Sequence, residues 1–235
     1  MIVENLQFPR DKCAVAEPGA GRGQLTLPLA RKLPKSCKLY TLDSYEGPYR
    51  ADLKVLMRLL RAEKLREKVI PLVGDVRDLT RFEDASFDII VSNELFCELK
   101  RRELKMTSRA FFRILKVGGC MVHGNLSPIP ESPSQRLLID MDSSSKWSTS
   151  PARGGWFSPT PEEVASIFEE TGFTAIRTVY VNMNIHYGSR EAKRQLRTWG
   201  ARSSFLRDRS RIIEKYGMDI PPEYITFCQK PSRMN

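Results

Sequence analysis

The stretch AVAEPGAGRGQL, residues 14–25, decides the fold of this chain. It starts as a short apolar run, reaches an acid at Glu17, and then places glycines at positions 19, 21 and 23. Glycine-rich turns between a strand and a helix usually hold a phosphate, because their backbone N–H groups point at the ligand. A carboxylate at the mouth of such a turn repels a phosphate by on the order of a few kcal/mol in a partly buried site. The stretch therefore predicts a turn that receives a cationic group rather than a diphosphate.

The glycine spacing also departs from the dinucleotide-binding pattern GxGxxG, whose third glycine would fall where this chain has Gln24. S-adenosylmethionine carries an ammonium, a carboxylate and a sulfonium but no phosphate. Its positively charged methionine end therefore suits Glu17, and a nicotinamide dehydrogenase is disfavoured.

Short apolar segments alternate with helical patterns along the chain. The segments typical of buried parallel strands are CAVAEP, KLYTLD, KVIPLVGD, FDIIVSN and CMVHGN. Helical periodicity occupies residues 24–33, 51–67 and 101–115, and Pro28 makes the first of these helices bend or begin late. Alternation of this kind predicts an α/β fold with a parallel sheet that helices cover on both faces.

One more helix and two more strands follow. TPEEVASIFEETGF begins with Thr160, Pro161 and Glu163, the pattern of a helix that starts with a capping box, and it ends at Gly172. TAIRTVYVNMN then predicts a sixth strand, and EYITFCQK predicts a seventh.

Two segments exceed a minimal alternating fold: residues 126–158, rich in serine and proline, and residues 185–219, a long basic helical stretch. Both follow the carboxyl end of a strand, which is the edge where open α/β sheets bind ligands. We therefore expect these insertions to act as lids. Trp156 and Phe157 are candidates to pack on a substrate or to anchor the first lid.

With these elements in order, the chain resembles the class I S-adenosylmethionine-dependent methyltransferases. AVAEPGAGRG is similar to their first motif, an apolar strand followed by (Asp/Glu)xGxGxG. The resemblance covers residues of about 12–181 and a last strand at about 222–230. It implies a Rossmann-like, mostly parallel seven-stranded sheet of order 3-2-1-4-5-7-6 with an antiparallel last strand. Insertions follow strands 5 and 6, and residues 1–235 form a single methyltransferase domain.

The resemblance also implies that S-adenosylmethionine binds and that S-adenosylhomocysteine is the product. The positions that match donor-binding residues of the family are Glu17, Gly19, Ala20, Gly21, Gly23, Asp43, Ser44, Asp75, Val76 and Asn93. In the family, the acid matched by Asp43 holds the ribose hydroxyls, and the acid matched by Asp75 takes the adenine amino group.

The end of the fourth strand, Ser92-Asn93-Glu94-Leu95, faces the methyl group in that family. Here it lacks the (Asp/Asn/Ser)-Pro-Pro-(Tyr/Phe) motif of enzymes that methylate exocyclic amino groups of bases. The Pro-Cys nucleophile of cytosine C5 enzymes is also missing, since Cys97 follows a phenylalanine. The candidate catalytic residues are Asn93, Glu94 and His186. A base is needed only if the nucleophile must lose a proton early.

The leading hypothesis is a methyltransferase that acts on a small molecule. Its rival acts on RNA or an RNA-associated protein, because residues 182–235 hold 11 Lys and Arg against 5 Asp and Glu in a chain of net charge +10. Within the basic segment 190–215, one helical face is predicted for Arg190, Lys193, Arg194 and Arg197. Apolar residues interleave with these charges, as they do in a packed core. A non-catalytic donor-binding subunit is the second alternative, and a homodimer is left open.

The five cysteines form no CxxC pair and are odd in number, so we expect neither a disulfide framework nor a metal site. Cys13, Cys120 and Cys228 lie in strand-like runs and are expected to be small buried thiols. No apolar run approaches the roughly 18 residues of a membrane span. The charged N-terminus does not resemble a secretory signal, so we expect a cytoplasmic protein without a membrane partner.

Overall fold

The computed structural model describes residues 2–9, 11–45, 52–144 and 158–232. The strands, β1 to β9 in chain order, are Ala14–Pro18, Lys38–Asp43, Val69–Val73, Phe87–Asn93, Leu115–Leu126, Thr174–Val181, His186–Tyr187, Met218–Asp219 and Glu223–Gln229. Seven of them form one sheet of order β3-β2-β1-β4-β5-β9-β6, while β7 pairs with β8. The seventh strand of the main sheet, β9, lies antiparallel between β5 and β6. The predicted fold class and strand order are confirmed.

The helices, α1 to α8, are Thr26–Lys32, Leu53–Ala62, Arg101–Ile114, Pro133–Ser144, Pro161–Thr171, Ser189–Thr198, Ser203–Asp208 and Ser210–Tyr216. Pro28 is the third residue of α1, so this helix begins late. The capping box of α5 is confirmed, because Thr160 Oγ1 accepts from Glu163 N–H and Glu163 Oε2 accepts from Thr160 N–H. Within the described ranges, no helix combines the length and the apolar character needed to cross a bilayer.

Side chains alternate between the two faces of the main sheet and form one core on each. On one face, Val15 and Leu39 pack with Leu29 of α1 and Leu56 of α2. On the other, Ala16 and Ile90 pack with residues of α3 and α5, among them Phe111 and Phe168. The N-terminal residues Ile2 and Leu6 join the first core. This sandwich leaves the carboxyl ends of β1 to β5 at one edge, where the loops that follow them meet.

A third hydrophobic cluster defines a cap, which consists of α4, α6, α7, α8, β7 and β8. Its buried residues are Leu137, Leu138, Met141, Ala192, Leu196, Phe205, Leu206, Ile213, Met218 and Ile220. The cap follows the carboxyl ends of β5 and β6, which both end opposite Glu223 of β9. The segment predicted as one long basic helical stretch at 185–219 is therefore three short helices with a strand on either side. The lid function stays a prediction, and Trp156 and Phe157 lie outside the described residues.

A disulfide joins Cys13, just before β1, to Cys37, just before β2, with their Cα atoms 4.5 Å apart. The prediction of a free thiol at Cys13 was therefore wrong. The two strands are parallel neighbours, and Lys38 N–H donates to the Cys13 carbonyl at 2.9 Å. Strand pairing thus brings together two cysteines that are 24 positions apart. Cys97, Cys120 and Cys228 are free thiols.

The disulfide makes a direct prediction for protein purified without reductant. Alkylation under denaturing conditions should modify three of the five cysteines, and five after reduction, as counted by intact mass. Reduction should lower the melting temperature, because a loop of this size contributes about 3 kcal/mol in the chain-entropy account. The double variant Cys13→Ser/Cys37→Ser should melt at the same temperature with and without reductant. Five modified cysteines before reduction would contradict the assignment.

Candidate active site

The glycine loop after β1 is hydrogen-bonded to the end of β2. The N–H of Gly19 donates to the carbonyl of Leu42 at 2.7 Å. The N–H of Gly21 donates to Asp43 Oδ2 at 2.8 Å. Gly19, Gly21 and Gly23 have φ values of +81°, +52° and +88°, which side chains with a Cβ adopt only at a cost. The predicted turn therefore places its backbone against the acid that ends β2.

The three glycines differ in what surrounds them. A Cβ at position 23 would lie 2.6 Å from Leu56 Cδ1, and one at position 19 would lie 3.1 Å from Leu95 Cδ1. A Cβ at position 21 would meet nothing within 4 Å. Helix and loop packing accounts for Gly19 and Gly23, whereas Gly21 borders open space from which a ligand can approach the backbone.

Glu17 is buried to 1% exposure at the base of this loop. Burial raises the pKa of its carboxyl to about 8, and the negative charge of Asp43 adds to the effect, while the nearby Thr26 hydroxyl opposes it. The side chain therefore does not point into solvent, and without a cationic partner it is mostly protonated at neutral pH.

Unsatisfied polar atoms cluster around this carboxyl. In the described part of the chain, seven buried side-chain polar atoms have no hydrogen-bond partner. Four belong to this one spot: Glu17 Oε2, Thr26 Oγ1, Thr41 Oγ1 and the hydroxyl of Tyr45. Buried polar atoms without partners are rare and call for an explanation, and a polar ligand supplies one. Motif patterns did not predict these three hydroxyl residues, although Thr41, the register partner of Glu17, is a polar residue in a buried strand.

Asp43 is the second acid at this edge. Its two carboxylate oxygens accept from Gly21 N–H at 2.8 Å and from Tyr45 N–H at 2.7 Å. Ser44, the next predicted donor residue, is exposed beside it. The sheet thus brings together Glu17, the glycine loop and Asp43, as the sequence predicted. Their contact with a donor stays a prediction.

Asp75, after β3, already has a cationic partner. Arg77 donates from Nε to both carboxylate oxygens, at 2.8 and 2.9 Å, and also pairs with Glu103 at 3.2 Å. This arginine holds the pKa of Asp75 below its usual range. An adenine amino group would have to share the carboxylate with Arg77. The neighbouring Val76 is 9% exposed and packs in the second core.

The side chains at the end of β4 are held by β5 and β9. With the Asn93 side-chain amide in the orientation that satisfies its neighbours, its nitrogen donates to the Gly124 carbonyl at 3.2 Å and to Glu223 Oε1 at 2.6 Å. Glu94 Oε1 accepts from Leu126 N–H at 2.6 Å. Both candidate residues therefore fix the ends of neighbouring strands, and their half-buried positions leave part of each side chain accessible.

A histidine also lies near this edge, in the core. The ring of His123 contacts Ser92 Oγ at 2.8 Å and stacks on Phe96, with centroids 3.9 Å apart. Complete burial lowers the pKa of His123 to about 3, so the ring is neutral at physiological pH. It packs as a structural histidine.

His186, the third candidate catalytic residue, lies in the cap. Its Nδ1 is 2.6 Å from Asp219 Oδ1, and the other carboxylate oxygen of Asp219 accepts from Ser134 of α4. The hydrogen bonds from Ser134 and His186 lower the pKa of Asp219, against the opposing and larger individual effect of burial. The carboxylate fixes the orientation of an imidazole that is more than half exposed.

Comparison with known proteins agrees with this geometry. Residues 15–119 match the family described as Methyltransferase domain. An uncharacterized protein of Haemophilus influenzae is 24% identical over 185 residues, which are 78% of this chain and 67% of that protein.

Two solved structures share the fold at low identity. The 4+2 cyclase SpnF has a TM-score of 0.68 at 17% identity, over 98% of this chain and 78% of its own. A phosphoethanolamine N-methyltransferase 2 of Haemonchus contortus, in complex with phosphomonomethylethanolamine and S-adenosylhomocysteine, has a TM-score of 0.62 at 16% identity. That match covers 99% of this chain and 52% of the other.

The strand order, the acid-containing glycine loop and the matched domain agree with one another. Residues 15–119 therefore resemble a methyltransferase domain, and the chain has the Rossmann-like fold of the class I S-adenosylmethionine-dependent methyltransferases.

Proposed function

We propose that this protein transfers the methyl group of S-adenosylmethionine to a small-molecule acceptor and releases S-adenosylhomocysteine. The observation that carries the proposal is the buried Glu17 carboxyl, whose Oε2 has no partner among the described residues. It lies beside a loop in which Gly21 leaves the backbone open to a ligand. An ammonium group satisfies the carboxyl and removes the repulsion that a phosphate would meet.

The residues at this edge fit the donor. Glu17 would hold the ammonium, with the backbone of Gly19, Ala20, Gly21 and Gly23 around the methionine portion. Asp43 and Ser44 would bind the ribose, and Asp75 and Val76 would bind the adenine. Asn93 would lie near the methyl group. When bound, S-adenosylmethionine supplies an electrophilic methyl group on a sulfonium. The protein holds the donor, orients it toward the acceptor and excludes water from the site.

The candidate catalytic residues divide into two kinds of role. Asn93 and Glu94 position the ends of β4 and β5, through Gly124, Glu223 and Leu126. His186 is the candidate general base for an acceptor that must lose a proton, because Asp219 orients its ring through Nδ1. That arrangement leaves Nε2 as the atom that would accept the proton.

The cap supports a small acceptor. Its two insertions pack on each other through a shared apolar cluster and follow the carboxyl ends of β5 and β6, and we expect them to enclose the acceptor there. A methyltransferase acting on RNA is the second candidate, favoured by the excess of positive charge in the segment 190–215. The 4+2 cyclase shows that a protein of this fold can carry another activity, so the reaction itself must be measured.

Donor binding should depend on the ionisation of Glu17. An ammonium ligand favours the carboxylate, so binding at pH 7 should release close to one proton, because the free carboxyl has a pKa of about 8. Affinity should then rise by up to about tenfold per pH unit between pH 6 and 8. Calorimetry in buffers of different ionisation enthalpy measures the proton directly.

The variant Glu17→Gln is the control for this linkage. It should bind S-adenosylmethionine about 10- to 100-fold more weakly and without pH dependence, since it loses a charged hydrogen bond. NAD should bind to neither protein. Equal donor affinity and equal proton release in the two proteins would refute the role of Glu17.

The same substitution should stabilise the donor-free protein at high pH. The pKa of Glu17 is about 8 in the folded state and near 4.5 when unfolded, so the native state binds the extra proton between these values. Stability conferred by the neutral carboxyl is therefore lost as pH rises from about 4.5 to 8. The drop in unfolding free energy from pH 5 to pH 8 should be smaller in Glu17→Gln by about 3 kcal/mol. Urea denaturation at the two pH values provides the measurement, and parallel pH curves would contradict it.

The reaction itself is tested with donor labelled in the methyl group and fractionated cell extract. We expect label in the small-molecule fraction with the wild-type protein and a large loss with Glu17→Gln. Label in RNA that disappears at high salt would select the second candidate. Donor binding without transfer to any fraction would rule out the enzyme.

A further inference from the structure

The cap contains a cleft that the proposed methyl transfer does not use. It has a volume of about 350 Å³ and opens between α6, α7 and α8. It is lined by Lys193, Arg197, Ser203, Leu206, Arg207 and Ser210. Three of these six side chains are cationic, two carry hydroxyls, and none is acidic.

The positive charge of this cleft is only partly neutralised. Lys193 pairs with Glu214 at 2.9 Å. Within the described ranges, the side chains of Arg197 and Arg207 have neither an ion-pair partner nor a hydrogen-bond partner. From position 190 to 215 the chain carries nine Lys and Arg against three Asp and Glu. Arg197 and Arg207 are exposed at the cleft and solvated there, so their positive potential attracts an anion to it.

The cations are held by packed helices and not by a loose tail. Lys193 and Arg197 lie one turn apart on α6, and Ser203 and Arg207 lie one turn apart on α7. The opposite faces of these helices are buried in the cap cluster. Arg209, between α7 and α8, pairs with Asp140 of α4 at 3.0 Å and ties this corner to the rest of the cap.

We propose that this cleft binds the phosphate monoester group of a small ligand. Two arginine forks, one ammonium and two hydroxyls match the charge and the several acceptor oxygens of a phosphate dianion. Outside the cleft, the positive charge of α6 is reduced because Glu191 pairs with Arg194. Two arginines without an ion-pair partner among the described residues, Arg197 and Arg207, line a cleft of small-molecule size.

Titration with inorganic phosphate tests the proposal, with binding followed by calorimetry and by amide chemical shifts of α6 and α7. We expect saturable binding that Arg197→Gln and Arg207→Gln each weaken at least tenfold. Arg190→Gln removes one charge from the same helix outside the cleft and should leave binding unchanged. S-adenosylmethionine affinity should not change in any of these variants. Failure of the phosphate proposal can therefore be distinguished from failure of the proposed donor site.

A second titration separates a small phosphate monoester from RNA. Glycerol 3-phosphate should bind at least as tightly as phosphate and glycerol should not bind, whereas a 12-nucleotide RNA without terminal phosphates should bind no better than phosphate. Absence of saturable phosphate binding, or equal loss in Arg190→Gln, would overturn the proposal. Tighter RNA binding that all three arginine variants weaken would replace it with an RNA surface.

Discussion

The burial of one carboxyl group at the end of β1 organises the site. Glu17 is 1% exposed, and Thr26, Thr41 and Tyr45 place hydroxyl oxygens around it that also lack partners within the described residues. Such an arrangement is unfavourable for folding, since desolvated polar groups gain nothing in return. It persists because the strands on either side are fixed by cores on both faces of the sheet. A site of this kind is prepared for a ligand that brings positive charge and hydrogen-bond donors.

The sheet order explains why this carboxyl meets a crevice. After β1, the chain adds β2 and β3 on one side of this strand, and β4 and β5 then follow on its other side. The loops after the parallel strands β1 and β4 therefore turn away from each other and leave a gap between them. Leu95, just after β4, still packs 3.1 Å from where a Cβ of Gly19 would lie. The glycine loop is therefore in contact with the segment that carries Asn93 and Glu94. The glycine loop and the segment of Asn93 and Glu94 come together through topology, although some 75 positions separate them in the chain.

The glycine loop and the cap differ in electrostatic character. The glycine loop presents acids, Glu17 and Asp43, whereas the cleft between α6 and α7 presents Arg197 and Arg207. These opposite signs suit ligands of opposite charge. Part of the basic character of the C-terminal quarter, which in the sequence resembles a surface for nucleic acid, is in the folded chain taken up by ion pairs, and another part lines this cleft.

Local sequence determines several of the turns and helix ends of this protein. The glycine loop, the capping box at Thr160 and the stop at Gly172 depend on interactions within a few residues, so their patterns predicted them correctly. The strand order followed from the resemblance of the whole series of elements. The prediction that the glycine turn receives a cation rests on the sign of one charge, at Glu17, and stays a prediction.

Tertiary structure alone decided the rest, because it depends on distances between residues that are remote in sequence. Strand register set the Cys13–Cys37 disulfide, which the cysteine spacing did not predict. Register also placed Thr41 beside Glu17, and the fold of the chain brought Tyr45 to the same spot. Helix packing turned a basic stretch into a cleft by directing Arg197 and Arg207 toward one cavity. A sequence specifies which groups are available, but the packing of the sheet and cap determines which of them lack a partner and therefore await a ligand.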